Sequence, residues 1–145
     1  MQINEQNLID DLSAMVRIPS LNTFGNADPA NPAEEGMAQF FEARLQEIGL
    51  DTFSSHVADG RRNVWGLLKG SGNGPTVMLA GHLDTVGVAG YDAPFEPTVK
   101  DGRIYGRGSC DMKAGLTTYL EVARIIVARD EPLAGDLIIA GVVDE

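Results

Sequence analysis

Cysteine is nearly absent. Cys110 stands alone among 145 residues, which excludes an internal disulfide and a multi-cysteine zinc site. Any metal ligands must then come from carboxylates and from the two histidines, His56 and His82. Long apolar runs are missing as well: no stretch approaches the roughly 18 consecutive apolar residues of a membrane-spanning helix. The opening MQINEQNLIDD has neither the basic cluster nor the apolar run of a signal peptide. Basic charge is scarce, with 11 Lys and Arg against 21 Asp and Glu and a net charge of -10. Such a surface repels phosphate backbones and anionic lipid, so neither nucleic acid nor membrane is an expected partner, and the cytoplasm is the expected location. With 43% hydrophobic and 22% charged residues the composition is that of an ordinary folded domain, and the length suits a single core.

The pattern along the chain reads as α/β. Leu8, Ile9, Leu12, Met15 and Val16 fall on one helical stripe that Pro19 stops. From Pro19 to Pro32 proline, glycine and short polar residues predict a loop, suited to act as a flap. Helical spacing returns over 33–48 and ends at Gly49, where a left-handed closing residue belongs. Strand-like runs follow at 51–57 and 63–69, then a more apolar one at 76–80 whose content suits burial on both faces. Twelve of the 17 glycines lie between Gly60 and Gly115, the mark of short elements joined by tight loops. A helix over 112–127 and a central strand at 137–143, LIIAGVV, complete the chain. Strand, helix, strand in that order predicts parallel pairing through a crossover. The expected architecture is thus a mostly parallel sheet flanked by helices, with a site at the carboxyl ends of its strands.

Three segments carry chemistry. GHLDTV at 81–86 puts His82 at the end of a strand with Asp84 two residues on, and a carboxylate there can hold a ligating imidazole in one tautomer. GRGSCDMKAG at 106–115 opens like a dinucleotide fingerprint, but Asp111 occupies the place of the third glycine and would repel a pyrophosphate. Taken alone, Asp111 reads as a helix cap, which needs no metal to explain it. Cys110 reads as a small buried residue, Lys113 as a solvated first-turn charge and His56 as a surface histidine. At the end of the last strand Asp144 or Glu145 could act as a general base. A parallel sheet would bring His82, Asp111 and Glu145 to one crevice from three separate loops.

These three motifs, in this order and spacing, resemble the zinc-dependent amidohydrolases and metallopeptidases that include acetylornithine deacetylase, succinyl-diaminopimelate desuccinylase, aminoacylase and glutamate carboxypeptidase. The likeness runs from about Leu8 to Glu145. It implies the amino-terminal part of a dizinc exopeptidase-like catalytic domain, with 1–145 a partial catalytic domain and the dimerisation domain elsewhere. By the same resemblance His82 and Asp111 are metal ligands, Asp111 bridging two Zn2+ (Co2+ as a substitute), Asp84 orients His82, Glu145 is the general base, and the Asp111–Met112 peptide bond is cis. The implied reaction is cleavage of an amide bond in an N-acyl amino acid or small peptide by a full-length homodimer, with the 145 residues inactive alone. No substrate-binding residue is assigned. The competing expectation is a non-catalytic folding or interaction module.

Overall fold

Helix α1 (Glu5–Val16) starts where the Asn4 side chain accepts hydrogen bonds from the backbone N–H groups of Gln6, at 3.0 Å, and Asn7, at 3.4 Å. This computed structural model describes residues 2–22, 34–129 and 131–144. Most of the anticipated flap therefore lies outside the described residues. Its first residues are tied to the loop after the site strand: Asn22 N–H donates to Thr85 O at 2.8 Å, and Thr85 N–H to Ser20 O at 2.7 Å. Helix α2 (Glu35–Ile48) closes at Gly49, whose φ of +102° is the left-handed conformation anticipated there.

Strands β1 (Asp51–Ala58) and β2 (Arg61–Leu68) form an antiparallel hairpin around Asp59–Gly60. Next come β3 (Val77–His82), a small ribbon of β4 (Thr98–Lys100) with β5 (Arg103–Tyr105), helix α3 (Lys113–Val127) and β6 (Leu137–Val142). The main sheet runs in the order β1-β2-β6-β3. As anticipated, β6 is central, and it pairs in parallel with β3 across the α3 crossover. The other two pairings are antiparallel, so the sheet is mixed where a mostly parallel one was expected. The cause is local. Two strands joined by a two-residue turn can only run antiparallel, and the Asp-Gly pair at 59–60 is the sequence signal for it.

All three helices contribute to one core. Phe41 and Leu45 of α2, Leu116 and Leu120 of α3 and Met15 of α1 meet Val64 of β2 and Ile139 of β6, every one fully buried. Among the described residues β3 lies at the edge of the sheet, and Val77 and Met78 are 51% and 58% exposed, short of the burial on both faces expected of it. Hydropathy reports what a strand would tolerate, not its place in the sheet order. No helix among the described residues is long and apolar enough to cross a membrane.

Where the helices press on the sheet, glycine is required. A Cβ on Gly141 would lie 2.6 Å from Leu83 Cδ2 and 2.9 Å from Phe41 Cδ1. Both are buried core side chains with nowhere to move. Gly141→Ala is accordingly expected to destabilise the protein by about 1–3 kcal/mol, the usual range for overpacking. Urea unfolding measures this, and a midpoint at or above that of the wild type contradicts the packing described.

Candidate active site

β3 and β6 run side by side, with His82 in register with Val142, so both strands deliver their carboxyl ends to the same edge of the sheet. There the imidazole of His82 is held from both sides. Its Nδ1 lies 3.0 Å from the backbone oxygen of Asp84 and 3.3 Å from Asp84 Oδ1. Its Nε2 lies 3.1 Å from Asp111 Oδ1. Asp84 is buried, and its Oδ1 makes no hydrogen bond. The Asp84 backbone oxygen, the acceptor that faces Nδ1, favours a proton there and leaves the Nε2 lone pair facing the Asp111 carboxylate. Two lone-pair groups that close are held together by a proton or a cation between them.

Asp111 comes from the turn before α3. The α3 cap residue is Met112 and no side chain caps the helix, so Asp111 does not play the capping part open to it from sequence. Its side chain is 75% exposed at the cavity mouth. The Asp111–Met112 peptide is cis, as the resemblance implied. Behind it, Lys113 departs from expectation. Instead of a solvated charge it is fully buried, and its ammonium donates to Met15 O and Ile18 O, both at 2.8 Å, tying the end of α1 to the start of α3. Burial pushes its pKa down to about 8. Two carbonyl oxygens at the end of a helix make a charge tolerable there. Cys110, expected to be buried, is exposed. His56 is exposed as expected, with Nε2 3.8 Å from Asp59 Oδ1.

Between these loops opens a cavity of about 160 Å³ lined by His82, Thr85, Val86, Arg107, Ser109 and Asp111. Nitrogen and oxygen ligands about 2.0–2.2 Å from one tetrahedral zinc ion lie roughly 3.3 Å apart, so the His82–Asp111 pair fits a shared ion in donor type and in separation. The described residues hold no group of three His, Cys, Asp or Glu that could complete such a site. Glu145 lies outside the described residues.

The sequence profile of Peptidase family M20/M25/M40 matches residues 78–145, the segment that carries His82, Asp84, Asp111 and Glu145. The chain belongs to the M20/M25/M40 peptidase family. It is 33% identical over 111 residues to a succinyl-diaminopimelate desuccinylase of Variovorax paradoxus, a match that covers 70% of this chain and 28% of that protein. A tripeptidase of Staphylococcus aureus superposes with a TM-score of 0.74 at 27% identity, over 97% of this chain and 37% of its own. A di-peptidase of Saccharomyces cerevisiae shares the fold with a TM-score of 0.77 at 16% identity, over 96% of this chain and 32% of its own. This M20 chain thus spans about a third of the length of these relatives.

One part of the arrangement beside His82 was not anticipated. Asp144 Oδ1 accepts from Arg61 Nη2 at 2.8 Å and from Asn22 Nδ2 at 3.2 Å, and the same Asn22 amide donates to Asp84 Oδ2 at 2.9 Å. Arg61 is in turn clamped by the fully buried Glu34, with Nε–Oε2 at 3.0 Å and Nη2–Oε1 at 3.1 Å. These bonds hold the Asp144 carboxyl below the usual carboxylate range, Arg61 first and Asn22 second. They also hold Asp144 in a left-handed conformation, φ +67°, unusual for a residue with a side chain. Asp144 stood out from the sequence only as a carboxylate at a strand end. Its partners gave no local signal.

Proposed function

We propose that the full-length protein carrying this M20 chain hydrolyses an amide bond in an N-acyl amino acid or small peptide. The carrying observation is the 3.1 Å approach of His82 Nε2 to Asp111 Oδ1 at the mouth of the cavity. In this reading His82 and Asp111 are metal ligands and the cofactor is a pair of Zn2+ ions, replaceable by Co2+. When bound, the ions supply Lewis acidity toward an amide carbonyl and toward water. Asp84 fixes the imidazole so that Nε2 stays available. Glu145 accepts a proton from the attacking water and delivers it to the departing amine nitrogen, leaving a carboxylate and an amine as products. Residues 1–145 then form part of a catalytic domain, and the full-length protein is a homodimer. The share of the relatives that the chain spans supports a site completed by residues outside it.

The test is metal analysis of the full-length protein together with hydrolysis of N-acetyl amino acids and dipeptides. Bound zinc, loss of hydrolysis on chelation and recovery with Zn2+ or Co2+ are expected. Undiminished hydrolysis by the metal-free protein overturns the reading.

A further inference from the structure

The placement of Asp111 needs a cause of its own. Its side chain is 75% exposed on a glycine-rich turn, yet its Oδ1 lies 3.1 Å from an imidazole that comes from a different loop. Packing around an exposed carboxylate cannot set that distance, so the backbone beneath it must.

Lys113 anchors that turn. It is fully buried, and its backbone N–H donates to Gly108 O at 3.0 Å, closing the loop from 108 to 113. Its methylenes lie against Gly108, where a Cβ would stand 3.2 Å from Lys113 Cδ and 2.6 Å from Thr85 Cγ2. Its ammonium ends on Met15 O and Ile18 O, both at 2.8 Å. Packing alone would be served as well by methionine, since an ammonium buried against neutral carbonyls carries a desolvation cost that an apolar side chain avoids. What the ammonium adds is direction, in two charge-assisted bonds that fix where the turn sits relative to the end of α1.

The same segment holds the other loop. Ser20 O accepts from Thr85 N–H at 2.7 Å, Asn22 N–H donates to Thr85 O at 2.8 Å, and the Asn22 amide reaches Asp84 Oδ2 at 2.9 Å. Residues 15–22 thus hold the Asp111 turn through Lys113 and the His82 loop through Thr85 and Asp84. Val16 reinforces the first attachment, packing on Gly106 so closely that a Cβ there would collide with Val16 Cγ1. One short stretch of backbone brackets both loops.

We propose that Lys113 is a positioning residue, which keeps Asp111 at its separation from His82 by anchoring the Asp111 turn to residues 15–22. Its effect on turnover rests on the hydrolase reading above, whereas its effect on the placement of Asp111 does not.

The experiment uses the full-length protein as wild type, K113M, K113Q, D111A and L45A. In the metal-free proteins labelled with 15N-histidine, NMR reads the His82 ring nitrogens, identified by their loss in H82N. K113M is expected to move the His82 Nε2 resonance from its wild-type position toward that of D111A, because in both variants the carboxylate has left its place 3.1 Å away. Kinetics follow the N-acetyl amino acid or dipeptide that the wild type hydrolyses fastest. In K113M kcat should fall about tenfold or more with KM within about threefold, the result of misplaced groups and not of lost binding. L45A separates this from loss of stability. Leu45 is a fully buried side chain beside Gly66, so its truncation should lower the denaturant midpoint while the folded enzyme keeps its kcat within about twofold and its His82 resonances in place. A wild-type His82 resonance or a wild-type kcat in K113M overturns the proposal, as does a kcat loss in L45A equal to that in K113M or a loss confined to KM. If K113M fails to give the wild-type circular dichroism spectrum, K113Q, which keeps a donor for the carbonyls, decides by the same readings. If the wild type hydrolyses neither substrate class, the hydrolase reading falls, and the His82 resonance alone decides whether Lys113 holds Asp111 in place.

Discussion

Alanine at His82 or at Asp111 is expected to lower kcat/KM for amide hydrolysis by the full-length protein about a thousandfold or more, and the double substitution should cost little beyond either alone. Groups that act as one unit lose nearly everything with the first removal. Their 3.1 Å separation makes them such a unit, since whatever lies between them needs both. The two changes differ in what else they disturb. Asp111 is 75% exposed on its side chain, so D111A should leave stability within about 0.5 kcal/mol of the wild type. At 10% exposure His82 is packed, and part of any loss in H82A reflects packing. The Asp111 variant is therefore the cleaner test. Asp84→Ala is expected to cost less, about 10–100-fold, because the nearer acceptor for Nδ1 is the Asp84 backbone oxygen, which the substitution keeps. Strict additivity of H82A and D111A, or full activity in either, counts against a shared site.

The parts legible in the sequence are those whose cause lies within a few residues. Period-3.6 spacing marks α1, α2 and α3, and Gly49 marks the end of α2 because only the local backbone decides it. His82 and Asp111 could be singled out because each follows or precedes a recognisable element. The failures share the opposite property. Lys113 reads as a solvated charge because its acceptors, Met15 O and Ile18 O, lie 98 and 95 residues away. Whether a lysine can be buried depends on what the fold brings to it, and the first turn of α3 says nothing of the last turn of α1. The same holds for β3, whose apolar run is compatible with a central strand but which occupies an edge among the described residues, and for the Arg61–Glu34 pair, 27 residues apart.

That pair supports the remaining prediction. Arg61→Met removes the cation that neutralises Glu34, a carboxylate with no exposed surface, and breaking a buried pair on one side costs about 3–5 kcal/mol. Removing both charges together, in the E34L/R61M double variant, should return most of that stability, because no buried charge is left uncompensated. Activity should not return with it. Arg61 Nη2 is also the nearer of the two donors on Asp144, at 2.8 Å against 3.2 Å for Asn22, and Asp144 directly precedes the proposed base Glu145. Without the guanidinium, one amide must hold a strand end in a left-handed conformation while also serving Asp84. The expected result is a double variant with near-native unfolding free energy and a kcat still reduced about tenfold or more, with KM little changed. If stability and kcat recover together, the clamp serves folding alone. If R61M unfolds at the wild-type denaturant midpoint, the pair is not buried as described.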